Sequence, residues 1–377
     1  MNKKEISEIK KNFSEDNPFL TMNRAVVTVI DADSNIRAQQ YFSPVTMSGR
    51  ESTILWETLR KIISTKLNKN LIQHYFTDDA YTNGTHELLM NLKEYAFDYD
   101  KHVDAFIKHN IDTYHMDAPY ALIIAPCTYA IPHKTKADEV DENSSTEVFN
   151  FVVVAKCPVT ISGTGFMFDN HTDSFSTEAD ERLYISHDPM GGFIFPAFDN
   201  RSANVNSLMY YTKSGDISFW VDDALGCTPL RSYKTEKSLF HTLLKSLFGE
   251  DLTYNLIYAI NESVSDYLEL NRYESDPVMV GVEELEEIFG AVVDPEILEK
   301  LPALYTTIIG NDEVMVGKLH ASNLVENSIK LKANGCTITV GKSHGDLLGT
   351  SVLEGAKSIN YKLADPVITI NDVSVNL

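Results

Sequence analysis

The sequence predicts an α+β fold, with helices flanking a mixed central sheet, a helical middle segment and a small β-rich domain at the C-terminus. Residues 120–132 and 147–161 carry the strongest strand signals, because both are rich in β-branched and aromatic side chains. Apolar residues at helical spacing dominate a long middle segment, and short alternating runs follow it. These observations predict domains at residues 1–215, 216–316 and 317–377.

The first predicted domain opens with an amphipathic helix. Ile6, Ile9 and Phe13 recur at helical spacing, so we expect this face to pack on the body of the protein. Ser48 is followed three residues later by Glu51, which is the spacing of a capping box at the start of a second helix. The remaining elements are expected at residues 23–33 and 36–42 (a strand pair), 70–77 (a strand), and 83–96 and 101–114 (helices).

The two strongest strands are separated by residues 133–146, which are polar, acidic and without periodicity. We expect a long hairpin loop here rather than a domain linker, because both flanking strands look like partners in one sheet. Shorter strands follow at residues 181–187, 191–198 and 206–213, and we expect them to form a meander.

The two remaining domains are predicted from helical spacing and from one turn signal. Asn334 and Gly335 lie between two alternating runs, which is typical of a β-hairpin. Further strands are expected at residues 356–363 and 366–375. The helices are expected at residues 217–226, between an Asp216 cap and Gly226, and at 236–249, 254–270, 281–290 and 295–309, with Pro295 in the first turn of the last.

The composition limits the kinds of partner. Asp and Glu number 54 against 32 Lys and Arg, which gives a net charge of −22. A chain this acidic repels nucleic acid and anionic membranes, so neither is expected as a partner. The longest apolar runs are too short to span a bilayer, and the first segment lacks a secretory signal. Four widely spaced cysteines form no CxxC, which favours a reducing cytoplasm over a disulfide framework.

Several short motifs resemble phosphate, metal or cofactor sites, and each lacks an essential feature. Residues 341–343 resemble the end of a phosphate loop, but a strand sequence occupies the place of the loop. Residues 86–90 lack the second histidine of a zinc protease. His102 and His109 lie about two helical turns apart, roughly 10 Å along the axis, which is too far to bind one zinc without a third element. The glycines of 162–166 do not complete a dinucleotide fingerprint. No metal and no cofactor is therefore expected.

Two polar clusters near the centre of the chain are the candidate site residues. Asp199, Asn200 and Arg201 follow one predicted strand, and His187 and Asp188 precede it. Short polar side chains in this position are typical of a turn, which we favour. The alternatives are an anionic ligand or partner clamped by the arginine and acid–base catalysis. The strand between the clusters covers about eight residues, or roughly 25 Å, so we do not expect one shared site.

Four stretches, in order, resemble the bacterial family described as domain of unknown function 4317. They are residues 1–13, 156–162, 193–213 and 226–251. The resemblance covers nearly the whole chain and is looser at residues 31–114 and after Gly317. It implies a cytoplasmic α+β protein and carries over no catalytic residue.

Two classes of function agree with these observations. The first is a binding or regulatory protein without catalysis. Its partner would be another protein or a small ligand, and the protein itself would form a homo-oligomer. The acidic helix at residues 281–290 and the long loop suit partner contact. The second is a hydrolase-like enzyme with a site around Asp199 and Arg201, joined by His187.

Overall fold

The chain divides into two compact units, Met1–Tyr233 and Lys234–Leu377. Both contain helices and strands, so the predicted α+β class is confirmed. Residues 234–316 of the predicted middle domain and the whole predicted C-terminal domain fall in the second unit, whereas residues 216–233 fall in the first. The predicted boundaries at residues 215 and 316 stay predictions. The structure, a computed structural model, describes residues 1–94, 98–134, 140–141, 147–161, 167–169, 174–176, 183–199, 201–213, 220–228, 230–271, 277–311, 317–326, 328–333, 336–341, 348–353, 356–361, 368–370 and 373–375.

The first unit is a sheet with helices on both faces. Its helices are α1 (Lys3–Asn12), α2 (Gly49–Ile63), α3 (Asp78–Thr82), α4 (Thr85–Lys93) and α5 (Tyr99–Thr113), with a 3-10 turn at Pro44–Thr46 and a π-helical turn at Trp220–Ala224. Its strands are β1 (Leu20–Met22), β2 (Ala25–Ile30), β3 (Ile36–Phe42), β4 (Leu71–Tyr75), β5 (Tyr120–Ile131), β6 (His133–Lys134), β7 (Val140–Asp141), β8 (Glu147–Ile161), β9 (Met167–Asp169), β10 (Ser174–Ser176), β11 (Leu183–Ile185), β12 (Gly191–Phe195), β13 (Ala197–Asp199), β14 (Ser202–Asn204) and β15 (Ser207–Thr212).

The main sheet has the strand order β3-β2-β5-β8-β12-β15-β4, and the neighbouring strands pair antiparallel. The long strands β5 and β8 lie in its middle and pair from Tyr120 opposite Pro158 to Ile131 opposite Glu147. The two strands are therefore partners in one sheet, as predicted. Residues 135–139 and 142–146 of the predicted loop lie outside the described residues. The predicted pair at residues 23–42 is confirmed as β2 and β3.

The predicted meander is correct only in its second half. β11 and β12 both pair with β8, with Leu183 opposite Ile161 and Gly191 opposite Lys156, so they form one interrupted strand. β12 then pairs with β15 as expected. The predicted strand at residues 191–198 is also divided, because Pro196 has no N–H to donate to a ladder, and β13 leaves the main sheet to pair with β14.

Alternating residues of the central strands enter two separate cores, because successive side chains of a strand point to opposite faces. On one face α1 and α2 pack over residues such as Ile123 and Val153. The predicted amphipathic helix is confirmed as α1, with Ile6, Ile9 and Phe13 buried, although the helix ends before Phe13. Side chains from α4, α5 and the π-helical turn pack on the other face. With both faces covered, the central strands are apolar along nearly their whole length.

The start of α2 agrees with the sequence. Ser48 is its N-cap, and Glu51 completes the predicted capping box. The helix predicted at residues 217–226 differs, because its described part is only the π-helical turn Trp220–Ala224, while its proposed Asp216 cap lies outside the described residues. Gly226 follows this turn with φ of +62°, the left-handed conformation expected at a helix end.

The second unit contains a group of helices followed, among the described residues, by three antiparallel strand pairs. Its helices are α6 (Tyr233–Phe248), which begins at the unit boundary, α7 (Tyr254–Asn271), α8 (Val282–Gly290), α9 (Pro295–Leu298), α10 (Leu301–Ile308) and α11 (Ala321–Leu324), with a 3-10 turn at Gly249–Asp251. Its strands are β16 (Met279–Val280), β17 (Leu319–His320), β18 (Ser328–Ala333), β19 (Cys336–Gly341), β20 (Leu348–Leu353), β21 (Ala356–Tyr361), β22 (Ile368–Ile370) and β23 (Val373–Val375).

Two sequence predictions in this unit have different outcomes. The strand pair predicted on either side of Asn334 and Gly335 is confirmed, since β18 and β19 pair antiparallel with Ala333 opposite Cys336, while Asn334 and Gly335 themselves lie outside the described residues. The single helix predicted at residues 295–309 is instead two helices, because the chain turns after α9 and Pro302 begins a new first turn in α10. No helix in the described part of the chain has the length and apolar composition needed to cross a bilayer.

A buried carboxylate holds the short helix α11 to α6. Glu236 of α6 accepts hydrogen bonds from the backbone N–H of His320 at 3.3 Å and from the Asn323 amide at 2.7 Å. The ring Nδ1 of His320 lies 2.8 Å from the same carboxylate. Both Glu236 and His320 are buried, so water cannot replace these bonds.

We expect Glu236→Ala to lower the free energy of unfolding of the second unit by about 3 kcal/mol, because it leaves buried donors without an acceptor. Glu236→Gln keeps one acceptor oxygen and should cost less. Urea titration followed by circular dichroism measures both, with Glu286→Ala, on the exposed side of α8, as the control. Equal losses for Glu236→Ala and Glu286→Ala would show that the carboxylate does not anchor α11.

Candidate functional site

The residues predicted as a turn form one. Asp199 ends β13 and lies opposite Ser202 of β14, so the chain reverses between them. Arg201 adopts φ of +57°, a left-handed conformation that is common in tight turns. Asn200, the third member of the predicted cluster, lies outside the described residues. The geometry therefore agrees with the structural interpretation of this stretch.

The side chains of this turn bind groups of the same unit. Arg201 donates to the carbonyl oxygen of Pro132 at 2.9 Å and lies 3.2 Å from the carboxylate of Glu8 in α1. Asp199 accepts a bond from the Asn204 amide at 3.2 Å, and its carboxylate lies 3.6 Å from the amino group of Met1. The anionic group that the sequence suggested for the arginine is thus present as Glu8, which ties α1 to the end of β5.

We expect Arg201→Ala and Glu8→Ala to be coupled in stability. Each change removes the same partly buried ion pair, so the double variant should lose about 1 kcal/mol less than the sum of the single variants. Thermal unfolding of the four proteins in this cycle measures the coupling. Additive losses would show that the pair contributes nothing, and the arginine would again be available for a ligand.

The second predicted cluster lies at a different place in the first unit. Lys61 of α2 donates to the backbone oxygen of His187 at 2.8 Å, and its Nζ lies 3.8 Å from the Asp188 carboxylate. Lys213, just after β15, also pairs with Asp188. The hydrogen bond from Lys213 is the main cause that lowers the pKa of Asp188. No contact between this cluster and Asp199 or Arg201 is recorded in the part of the chain that the structure describes.

A third site was missed by the sequence reasoning, and it centres on Lys156 in the middle of β8. This side chain is 3% exposed although it carries an ammonium group. Its sheet neighbours are Leu122 and Gly191, and it points to the same face as Val152 and Val154, into the apolar core. Within the described residues no hydrogen-bond acceptor and no carboxylate is recorded for its Nζ.

The Nζ of Lys156 lies against two aromatic rings. This nitrogen lies 4.2 Å from the ring centroid of Tyr114 and 4.2 Å from that of Trp220. Trp220 is held in place because its indole N–H donates to the buried Asn110 side chain at 2.5 Å, and Asn110 donates onward to the Tyr120 hydroxyl. Cation–π attraction to both rings offsets part of the cost of burying the ammonium.

Burial changes the charge state of this amine. It lowers the pKa of Lys156 to about 7, because the charged form loses its hydration. The amine is therefore present in both charged and uncharged forms near neutral pH. Tyr114 is half-buried. A strongly shifted pKa makes this amine a candidate functional group.

One sequence signal could have indicated this site. Residues 151–159 form an apolar strand interrupted by a single charge at Lys156, at a position that alternates with core residues. A lysine placed so deep is rarely buried without a partner. The rings that face it come from Tyr114 and Trp220, which are far away in sequence, so the spacing of residues could not reveal the cluster.

The described residues do not bring together three or more histidine, cysteine or acidic side chains in an arrangement that holds a metal ion. The buried thiols of Cys127, Cys157 and Cys227 are free. Burial raises the pKa of each, which makes them poor thiolate nucleophiles. Lys156 is therefore the side chain whose surroundings best favour chemistry or binding in this part of the chain.

Fold and site together define an α+β protein with an antiparallel sheet covered by helices on both faces and a buried lysine against two aromatic rings. The chain belongs to the family described as "Domain of unknown function (DUF4317)", which matches residues 1–373. The resemblance seen in the sequence is thereby confirmed over nearly the full length. No curated protein matches the chain.

Proposed function

We propose that this protein acts by binding, without catalysis, and that its small ligand contacts the amine of Lys156 between Tyr114 and Trp220. The observation that carries the proposal is the buried Nζ, for which no acceptor or carboxylate is recorded within the described residues. Burying an ammonium without an ion partner costs stability. A cost of this kind is typical of residues that serve function rather than folding.

The chemistry of the site limits the ligand. Aromatic walls favour a small molecule with an apolar or planar body, and the amine favours a group that accepts a hydrogen bond or reacts with nitrogen. The cytoplasmic location that we propose is supported by the free thiols of the described cysteines, which are typical of a reducing compartment. A homo-oligomer stays a prediction, which light scattering on the purified protein tests.

A thermal-shift screen of small carboxylates, aldehydes, amines and aromatic compounds tests the proposal. A ligand present at a hundred times its Kd should stabilise the protein by about 2.7 kcal/mol. Lys156→Met should abolish this gain, while Lys213→Met, which removes an exposed amine of the same unit, should retain it. The proposal is wrong if no compound shifts the transition, or if the shift is equal in both variants.

The alternative of a hydrolase-like enzyme has less support. Arg201 and Asp199 are both bound to groups of the chain itself, and His187 lies in the other cluster. Turnover of an ester or phosphate substrate that is lost in Arg201→Ala, while the folded state persists, would favour it. The acidic helix α8 exposes Glu283, Glu286 and Glu287, and its role in partner contact stays a prediction.

A further inference from the structure

We infer that Lys156 captures a small aldehyde as an imine, so that the ligand is held by a covalent bond between the two aromatic rings. The inference rests on the proposed function, because it names the chemical class of ligand for the same site. Its basis is geometric. The Nζ of Lys156 has ring centroids of Tyr114 and Trp220 at 4.2 Å each and is enclosed by the core of the first unit.

The amine meets the first requirement for imine formation, which is an uncharged nitrogen with a lone pair. Burial lowers the pKa of Lys156 to about 7, so much of the amine is uncharged at neutral pH. Lysines that serve as imine-forming groups are activated by desolvation in this way. Lys61 and Lys213 of the same unit instead bind the Asp188 carboxylate.

The reaction needs no partner other than the aldehyde. The lone pair of Nζ attacks the carbonyl carbon, a C–N bond forms, and the π bond of the carbonyl breaks to give a carbinolamine. The carbonyl oxygen then leaves as water together with both hydrogens of the neutral amine, and a C=N bond remains. Addition of water reverses the step and releases the aldehyde, so no net oxidation or reduction occurs.

The surroundings of Lys156 suit the product. The neutral imine becomes a planar cation when its nitrogen takes a proton from water, and aromatic ring faces attract such a cation. Trp220 is already fixed by its bond to Asn110, so little ordering is needed when the ligand binds. The side chain of Lys156 is 3% exposed, which restricts the ligand to a small aldehyde.

The experiment incubates the folded wild-type protein with propanal and cyanoborohydride near neutral pH and maps the propylated lysines by peptide mass spectrometry. Cyanoborohydride delivers hydride to the imine carbon, and a proton from water completes a stable secondary amine. We expect Lys156 to be modified at least about tenfold faster than Lys213, because burial lowers the pKa of Lys156 to about 7 and leaves much of its amine uncharged. Propanol, which has a similar size but forms no imine, is the control ligand for thermal shift.

Labelling of exposed lysines that leaves Lys156 unmodified would overturn the inference without any variant being needed. In that case the screen described above still decides the proposed function, because a thermal shift that Lys156→Met abolishes shows binding without imine formation. Loss of both the adduct and the shift would remove the inference and the proposed function together. Addition of Lys156→Met to the labelling experiment verifies the assignment of the modified peptide.

Discussion

Gly192→Ala is expected to lower the free energy of unfolding of the first unit by about 3 kcal/mol or more. Gly192 lies in β12 where α2 crosses the sheet, and an added Cβ would overlap the carbonyl oxygen of Val154 and lie 2.5 Å from Cδ1 of Ile62. Ile62 is fully buried and the carbonyl belongs to the central strand β8, so neither can move without disturbing the core. Guanidinium titration followed by tryptophan fluorescence measures the loss.

The neighbouring glycine provides a matched control. A Cβ on Gly191 would meet its nearest atom, the Tyr210 hydroxyl oxygen, at 3.4 Å, which is ordinary contact. Gly191→Ala lies in the same strand and carries the same chemical change, and it should cost less than about 1 kcal/mol. Similar losses at both positions would mean that α2 does not approach the sheet as closely as the structure shows.

The stability of the protein should rise with pH above neutrality because of Lys156. The pKa of this amine is lowered from 10.5 to about 7 in the folded state, so between these values the unfolded chain binds the proton and the folded chain does not. The free energy of unfolding therefore increases with pH across this window. Below about pH 7 the buried ammonium destabilises the folded state by its full amount. We expect a gain of about 3 kcal/mol between roughly pH 6 and pH 9.

Lys156→Met removes this dependence and isolates it from other groups. The methionine fills a similar volume without a charge, so the variant should be more stable than wild type at neutral pH. Burial raises the pKa of the Cys227 thiol and of Tyr114, and these shifts lower the stability at alkaline pH. We expect the same loss in the wild-type protein and in Lys156→Met. The difference between the two unfolding curves should shrink as pH rises. A constant difference would show that the amine keeps its ordinary pKa.

Much of the fold could be predicted from local sequence patterns. The helix α1 follows from the spacing of Ile6, Ile9 and Phe13, and the start of α2 follows from Ser48 and Glu51, because both signals depend only on nearby residues. The order of strands in the sheet could not be obtained in this way. It places β4 beside β15, more than a hundred residues later, and such pairing depends on tertiary packing.

The candidate site was only partly accessible from the sequence. The turn at Asp199 and Arg201 was predicted from short polar residues after a strand, and the structure agrees. The partner of the arginine, Glu8, lies in α1 and could not be identified by spacing. Lys156 was overlooked because a lysine in an apolar strand can be recognised as part of a site only when its neighbours in the fold are known. These neighbours are Tyr114 and Trp220.

An NMR titration of the side-chain Cε and Nζ signals of Lys156 tests the central claim most directly. Lysine labelled with ¹³C and ¹⁵N gives one signal that is absent from Lys156→Met, and this signal identifies the residue without a probe molecule. A midpoint near pH 7, far below the ordinary value for lysine, is the expected result. A midpoint close to 10.5, the ordinary value for lysine, would contradict the buried amine on which the ligand site depends.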